Sequence, residues 1–182
     1  MALAGSVFHE RVRTREARIG IIGLGYAGLP LALAFARHGF EVTGIDLNSD
    51  RVNAVNASES YLVDVPAHRY AEAEGRLKAT DDYAAAAELD AITICVPTPL
   101  SKSRTPDLAY VAAAVGALAE HLAPGQLVAL QSTTYPGTTE EVLLPVLQRD
   151  GREVGRDFFL AYAPERVDPG NPHYDVRNTP KL

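Results

Sequence analysis

An α/β fold, a doubly wound parallel sheet in a single domain, is predicted for this chain by three observations. Short apolar segments typical of buried strands alternate with helical segments along most of its 182 residues, which indicates a parallel sheet covered by helices. The segment 91–96 is apolar enough to be buried on both faces. The first strand runs into three closely spaced glycines and then an apolar helix, which favours six main strands in the order 3-2-1-4-5-6.

The first half of the chain is divided by residues that end strands and helices. Gly39 ends the first apolar helix, Asp46 ends the second strand, and Asn48 suits the cap of the next helix. The expected elements are, in order, an arm or short helix at 1–17, a strand at 18–23, a helix at 26–38, a strand at 40–45, a helix at 49–56, a helical segment at 66–75 and a strand at 77–80.

Prolines and aspartates divide the second half. Asp81 or Asp82 can cap an alanine-rich helix, and Pro106 suits a first helical turn because its missing N–H is not needed there. Pro145 lies inside a helical pattern and should kink or shorten that helix. The expected elements are a helix at 83–88, a strand at 91–96, a helix from 106 to about 122, a strand at 126–131, a helix at 137–148, a strand at 157–163 and a proline-rich tail.

Composition and charge exclude several classes of function. The net charge of −6 argues against nonspecific nucleic-acid binding, and no apolar run approaches the length of a membrane span. Cys95 is the only cysteine and lies within a strand, where a thiol usually acts as a small buried hydrophobe rather than a nucleophile. The five histidines show no metal-ligand spacing. We therefore expect a cytoplasmic protein with no metal and no membrane segment.

The glycines after the first strand predict a dinucleotide site of the Rossmann type. Gly23 would allow the tight turn, Gly25 would let a pyrophosphate approach the backbone, and Gly28 would let the helix pack close to the strand. The helix N-terminus would then offer free N–H groups and a partial positive charge to the phosphates. A turn that is only structural is the alternative interpretation.

Asp46 lies at the predicted end of the second strand, 18 residues after Gly28. A carboxylate at this place typically binds the ribose hydroxyls of adenosine, and its charge favours NAD over NADP because a 2′-phosphate would be repelled. A helix-capping or turn aspartate is the alternative. Arg51 fits either a position beside the adenosine or a solvated helix surface.

The loops after the fourth, fifth and sixth strands should meet at the same edge of the sheet, because parallel strands end there. Thr98 follows the fourth strand and could contact the nicotinamide side of a cofactor or simply belong to a rigid turn. Ser132 and Thr133 open a hydroxyl-rich loop, in which capping alone would need one hydroxyl. Glu165 could order a water or a substrate hydroxyl as a base, or form a surface ion pair with Arg166.

Five motifs together resemble the N-terminal domain of the UDP-glucose/GDP-mannose dehydrogenase family, and the last is similar to the members that oxidise UDP-N-acetylhexosamines. The resemblance covers nearly the whole chain from Arg18 onward. The motifs are Gly23-Leu-Gly-Tyr-Ala-Gly-Leu-Pro30, Ile94-Cys-Val-Pro-Thr-Pro-Leu100, Pro106-Asp-Leu-Ala-Tyr-Val111, Ser132-Thr-Thr-Tyr-Pro-Gly-Thr-Thr139 and Ala163-Pro-Glu-Arg-Val-Asp-Pro-Gly-Asn171.

The resemblance implies oxidation of a sugar C6 alcohol to a carboxylate, with two hydrides passing to two NAD molecules in turn. It implies a NAD-binding domain at 18–170, preceded by the arm at 1–17 and followed by a tail at 171–182. Glu165 and Thr133 would act in catalysis, and Glu165, Arg166 and Val167 would contact the UDP-sugar. The implied cofactor contacts are Gly23, Gly25, Tyr26, Ala27, Gly28, Asp46, Arg51, Val96, Thr98, Ser132 and Thr133.

The family's nucleophilic cysteine and catalytic lysine lie in a later domain, beyond a central helix, so the resemblance also implies an incomplete active site. We therefore expect this chain to bind NAD without turning over a UDP-sugar alone. Full-length members are expected to form homodimers or higher oligomers.

Two other hypotheses stay open. A short-chain reductase or a 6-phosphogluconate-type dehydrogenase fragment would need a Tyr-x-x-x-Lys motif or a substrate lysine in the corresponding helix, and the sequence shows neither. A regulatory NAD(H)-sensing module would bind the cofactor without sugar affinity.

Overall fold

A computed structural model of the protein describes residues 2–100, 105–165, 171, 173, 178 and 179, with the side chains of 2–6 excepted. Its helices are α1 (Ala2–Thr14), α2 (Gly28–Arg37), α3 (Ser49–Asn56), α4 (His68–Glu72), α5 (Ala109–Ala119) and α6 (Leu144–Leu147). Its strands are β1 (Ile19–Ile22), β2 (Val42–Ile45), β3 (Leu77–Thr80), β4 (Ala91–Ile94), β5 (Leu127–Leu130) and β6 (Phe159–Tyr162). A 3₁₀ turn at Tyr83–Glu88, a π-helical turn at Thr139–Leu143 and a 3₁₀ turn at Arg149–Gly151 complete the described elements.

The six strands form one parallel sheet in the order β3-β2-β1-β4-β5-β6, which confirms the predicted topology. The strand register aligns the last residues in one row across the sheet: Ile22 pairs with Ile45 on one side and Ile94 on the other. Leu130 continues the row and pairs with Tyr162. The residues that follow the strands therefore also lie side by side at the carboxyl edge.

Two hydrophobic cores lie against the sheet. Leu29, Ala32 and Leu33 of α2 belong to the first cluster, whereas Val111, Val115 and Leu118 of α5 belong to the second. The helices that follow the neighbouring strands β1 and β4 thus pack in separate cores, as expected where the strand order reverses direction. Such a switch point is where α/β sheets bind ligands.

The helix after β4 begins at Ala109, so the prediction of Pro106 in its first turn is wrong. Pro106 instead pairs with Leu100 in an isolated bridge, and the N–H of Asp107 donates to the Pro99 carbonyl at 2.8 Å. The Asp107 side chain accepts from the Ala109 N–H at 2.9 Å. Pro106 and Asp107 are therefore held against Pro99 and Leu100 rather than in the first turn of the helix.

The alanine-rich segment at 83–88 forms a 3₁₀ turn, capped by Asp82 rather than Asp81 through the Ala84 N–H at 2.8 Å. Near Pro145 the predicted disturbance is present, because a π-helical turn precedes the short α6. Proline lacks the N–H that a regular helix would use at this point, and a wider turn accommodates its absence.

Helix α1 is attached to the start of β4. Arg11 pairs with Asp90 at 2.5 Å, and the same carboxylate accepts the Arg18 backbone N–H at 2.7 Å. Val12 packs against the first core, whereas Val7 is 57% exposed. Residues 1–17 therefore contain a helix, while their status as a separate unit stays a prediction. No described helix has the length and apolar character needed to cross a membrane.

Candidate cofactor site at the carboxyl edge of the sheet

The carboxyl edge places the sequence-predicted residues in one line. Backbone hydrogen bonds continue past the strands: Gly23 donates to Ile45, Cys95 to Ile22, Gln131 to Ile94 and Ala163 to Leu130, at 2.7–2.9 Å. The order along the edge is therefore Asp46, Gly23, Cys95, Gln131 and Ala163. Glu165 follows at one end, opposite Asp46 at the other.

Gly23 and Gly28 are required by geometry. Gly23 has a φ of +91°, and a Cβ there would lie 2.8 Å from the Cys95 carbonyl oxygen, so a side chain would be both strained and crowded. A Cβ on Gly28 would lie 1.8 Å from the Gly23 carbonyl oxygen. Helix α2 consequently packs directly on the turn, as predicted for these two positions.

Gly25 differs because, among the residues that the structure describes, nothing lies within 4 Å of the position that its Cβ would occupy. Its glycine is not needed by the protein's own packing, and the space above it is open to a ligand. Leu29 donates to the Gly25 carbonyl at 3.0 Å and closes the first helical turn there. Tyr26 is 58% exposed beside this turn, and the half-buried Ala27 precedes α2 without a capping side chain.

Leu24, between the two glycines, is fully buried and is held by neighbouring elements. Its N–H donates to Asp46 Oδ2 at 2.7 Å, and its carbonyl accepts from the Tyr61 hydroxyl at 2.6 Å. Its side chain lies over Gly44 of β2, where an added Cβ would come within 2.7 Å of it. The turn is thus anchored on β2 as well as on its own helix.

The Asp46 carboxylate, 9% exposed, joins three parts of the site. In addition to Leu24, it accepts the Asn48 N–H at 2.9 Å and lies 3.3 Å from Nη1 of Arg51. Asp46 therefore acts as a turn aspartate, which was the alternative interpretation of this residue from the sequence. A ribose would have to share this carboxylate with those donors, and its binding there stays a prediction, as does an adenosine contact for Arg51.

The negative charge of Asp46 also acts on nearby tyrosines. Burial is the main reason that the pKa of Tyr61 is raised, and the electrostatic effects of Tyr70 and Asp46 add to it. The pKa of Tyr83 is likewise raised by burial first and by Asp46 second. Both hydroxyls therefore stay protonated at neutral pH and remain hydrogen-bond donors.

The ends of β4 and β5 are joined by Ser132. Its hydroxyl donates to the Val96 carbonyl at 2.7 Å, and its side chain is buried. Val96 and Thr98 are half-buried, whereas Thr133 is exposed. Ser132 thus has a positioning role in the protein, while the cofactor contacts assigned to Val96, Thr98, Ser132 and Thr133 stay predictions.

Glu165 is held by a residue that the sequence interpretation did not assign. Gln131 is only 4% exposed, and its Nε2 donates to Oε2 of the half-buried Glu165. Gln131 directly precedes the hydroxyl-rich loop. Its position at the end of a strand is the sequence feature that could have indicated a role in the site. Arg166 and Val167, predicted to contact substrate, lie outside the described residues.

Cys95 is 7% exposed and packs in the first core. A Cβ on Gly28 would lie 3.2 Å from the Cys95 Cβ, so the thiol side chain sits directly behind α2. This burial agrees with the hydrophobic role predicted for it. Within the described part of the chain, no group of three or more His, Cys, Asp or Glu residues is arranged to hold a metal ion.

Comparison with known proteins identifies similar dehydrogenases. The chain is 38% identical over 156 residues to a UDP-N-acetyl-D-mannosamine dehydrogenase of Pyrococcus horikoshii, covering 84% of this chain and 37% of that protein. It is 35% identical over 168 residues to a UDP-N-acetyl-D-glucosamine 6-dehydrogenase of Salmonella typhi, covering 92% and 39%. The chain thus spans less than two fifths of the length of these relatives.

Solved structures give the same result. A ternary complex of GDP-mannose dehydrogenase from Pseudomonas aeruginosa matches with a TM-score of 0.79 at 30% identity, covering 84% of this chain and 37% of that one. The P. horikoshii UDP-D-ManNAc dehydrogenase structure matches with the same TM-score at 39% identity and the same coverage. The model of the NAD-binding domain of the UDP-glucose/GDP-mannose dehydrogenase family matches residues 17–182. This chain therefore belongs to the UDP-glucose/GDP-mannose dehydrogenase family and carries its NAD-binding domain.

Proposed function

We propose that NAD binds along the carboxyl edge with its adenosine at Asp46, its pyrophosphate over Gly25 and its nicotinamide towards the ends of β4 and β5. The open space above Gly25 is the observation that carries this placement, because no part of the described protein needs a glycine there. The uncapped start of α2 supplies backbone donors and a partial positive charge for an anionic group. Thr98 and Thr133 are the candidates for contacts on the nicotinamide side.

NAD, when bound, supplies a hydride acceptor. The chain's own residues would position the cofactor, and at the β5–β6 end of the carboxyl edge they would accept or donate protons. Glu165 is the candidate base or water-orienting group, because it lies beyond β6 with its carboxylate fixed by the buried Gln131. A carboxylate in this role must stay close to the proton that it accepts, and the Gln131 contact restricts where it can move.

For a full-length member of the family that carries this domain we propose two successive oxidations of the C6 alcohol of a UDP-N-acetylhexosamine, each reducing one NAD. The support is the identity of the relatives, which include UDP-N-acetylmannosamine and UDP-N-acetylglucosamine dehydrogenases. The substrate contacts of Arg166 and Val167, assembly into homodimers or higher oligomers, and a cytoplasmic location belong to the same proposal.

These 182 residues alone are not expected to complete that reaction. Their single cysteine, Cys95, is buried behind α2, so it cannot present a thiolate to an aldehyde. A covalent route to the acid needs an accessible nucleophile. We therefore expect NAD binding without sustained NADH production.

Two experiments on the purified chain test this proposal. Calorimetry with NAD tests cofactor binding, and mixing with NAD and UDP-N-acetylglucosamine or UDP-N-acetylmannosamine tests turnover. We expect NAD binding and no continued rise in NADH absorbance. Sustained turnover would contradict the proposed insufficiency of the chain. Selective NAD(H) binding with no measurable affinity for either sugar nucleotide would instead favour a sensing module.

The matched variant is Gly25→Ala. Its methyl group meets no described atom, so we expect an unchanged melting temperature and at least a tenfold loss of NAD affinity from crowding of the pyrophosphate. Unchanged NAD affinity in this variant would contradict the placement of the cofactor over the turn.

A further inference from the structure

Tyr61 contacts the glycine turn from far along the sequence. It lies between α3 and α4, and its hydroxyl donates to the Leu24 carbonyl at 2.6 Å, across 37 positions of the chain. We propose that Tyr61 is a positioning residue that directs the Gly25 N–H towards the pyrophosphate of the cofactor. This inference rests on the proposed function, in which the turn is the pyrophosphate site.

The argument depends on the geometry of one peptide group. The carbonyl of Leu24 and the N–H of Gly25 belong to the same planar unit, and in a trans peptide they point in opposite directions. No cis peptide bond is present in the described chain. Fixing the carbonyl towards Tyr61 therefore directs the N–H away from Tyr61.

The surroundings of Gly25 leave room for a ligand near this N–H. Nothing lies within 4 Å of a Cβ position at Gly25, and among the residues that the structure describes no backbone carbonyl accepts from the Gly25 N–H. The preceding N–H, that of Leu24, is held by Asp46. Asp46 thus holds the peptide unit between Gly23 and Leu24 by its N–H, and Tyr61 holds the next unit, between Leu24 and Gly25, by its carbonyl. The Gly25 N–H is the donor of this second unit, and we infer that it is directed at the ligand space.

Tyr61 is itself held in place without a ligand. The hydroxyl of the preceding Ser60 donates to the carbonyls of Leu62, at 3.0 Å, and Val65. Leu62 and Val65 are buried, and the Tyr61 ring packs against the same core. Because the loop is fixed by its own contacts, the Tyr61 hydroxyl is in position before a cofactor arrives, which lowers the entropic cost of binding.

The protonation of Tyr61 supports this role. Burial raises its pKa, Tyr70 and Asp46 raise it further, and the opposing effect of Arg51 is smaller. The hydroxyl therefore remains a donor throughout the pH range in which binding would be measured.

Tyr61→Phe removes the hydroxyl and keeps the ring. Tyr70→Phe is the matched control, because the buried Tyr70 hydroxyl has no hydrogen-bond partner within the described chain. We expect Tyr61→Phe to weaken NAD and ADP about fivefold, the loss of one hydrogen bond, while adenosine, which lacks a pyrophosphate, binds as to wild type in an NMR titration. Tyr70→Phe should bind all three ligands as wild type does.

Several outcomes would overturn the inference. Unchanged ADP affinity in Tyr61→Phe would do so, and so would an equal loss for adenosine, which would indicate a general effect on the site. If the wild-type chain bound neither NAD nor ADP, the proposed function itself would fail.

A measurement on the wild-type chain covers the case in which Tyr61→Phe does not fold. The Gly25 amide proton should shift downfield on saturation with ADP and not with adenosine. A Gly25 amide that is insensitive to ADP would refute the proposed direction of this donor.

Discussion

The two ends of the carboxyl edge are held by different kinds of contact. At the β1–β2 end, Gly23 and Gly28 leave no room for a side chain, and Asp46 holds backbone N–H groups. At the β5–β6 end, Glu165 is oriented by the Gln131 side chain and Thr133 is exposed. The shape of the first end is fixed by packing between backbone atoms. The second end depends on individual side chains, so single substitutions can alter it without moving the backbone.

This difference agrees with the proposed roles of the two ends, cofactor binding at the β1–β2 end and proton transfer at the β5–β6 end. A cofactor with a constant structure suits a site of fixed shape, and a reacting group suits side chains whose position and charge can be adjusted. Substitutions should therefore differ in kind. Those of Gly23, Gly28 or Asp46 should affect folding and cofactor affinity together, whereas those of Gln131 or Glu165 should affect local stability with little effect on cofactor affinity.

The largest effect is expected for Gly28→Ala. Its methyl group would lie 1.8 Å from the Gly23 carbonyl oxygen, so α2 must move away from the turn. We expect a loss of about 3 kcal/mol or more in the free energy of unfolding, together with loss of NAD binding. Urea denaturation beside Gly25→Ala checks this, since that variant should keep wild-type stability. Equal stability of the two variants would contradict the backbone-packing explanation.

The next largest effect is expected for Asp46→Ala, which leaves the Leu24 and Asn48 N–H groups without their acceptor. The proposed ribose would also lose its hydrogen bond to a charged group, which contributes about 1.5–3 kcal/mol, so NAD affinity should fall roughly tenfold to a hundredfold in calorimetry. Asp50→Ala is the control, because Asp50 is exposed in the first turn of α3 and this variant should bind NAD normally. Wild-type affinity in Asp46→Ala would remove Asp46 from the cofactor site.

A smaller effect is expected at the other end, for the pair Gln131 and Glu165. A double-mutant cycle with Gln131→Leu and Glu165→Leu should give a coupling of about 1.5 kcal/mol in the free energy of unfolding, because a part-buried amide donates to a carboxylate. NAD affinity should change less than twofold in each variant. A coupling near zero would mean that Gln131 does not hold Glu165 in solution, and a large loss of NAD affinity would contradict the division between the two ends.

The smallest effect is expected within the loop after β5, where adjacent hydroxyls differ in environment. Ser132→Ala removes the buried bond to the Val96 carbonyl and should cost about 1 kcal/mol in the free energy of unfolding. Thr133 is exposed, so Thr133→Ala should leave stability within about 0.5 kcal/mol of wild type. Thermal and urea unfolding measure both, and the reverse order would contradict the assignment of Ser132 as the link between β4 and β5.

The sequence was sufficient for the strand order and the glycine turn because both follow from local patterns. Apolar runs mark the strands, and Gly23 and Gly28 are required by the turn that they form. The start of α5 could not be predicted from Pro106, because the pairing of Pro106 with Leu100 competes with a helical turn that is locally acceptable. The 3₁₀ geometry at 83–88 is likewise not distinguished from an α-helix by an alanine-rich pattern.

The parts of the site that were missed depend on contacts between distant residues. Tyr61 lies in a segment with weak periodicity, and only the fold brings its hydroxyl to Leu24. Gln131 and Glu165 are separated by 34 positions, and nothing in either local sequence indicates the other. Asp46 was predictable as a site residue from its strand-end position, but its bonds to Leu24 and Arg51 were not.

The close fit of Leu24 over Gly44 has a consequence for protein engineering. A Cβ at Gly44 would come within 2.7 Å of the Leu24 side chain, so the glycine turn and the neighbouring strand form one unit for transplantation. Transplanting residues 23–28 into a related scaffold would require a glycine at the position that corresponds to Gly44, or a smaller residue in place of Leu24. The portable unit is therefore a strand–turn–helix together with one small residue on the adjacent strand, and loop grafts that omit that residue should fail through steric overlap.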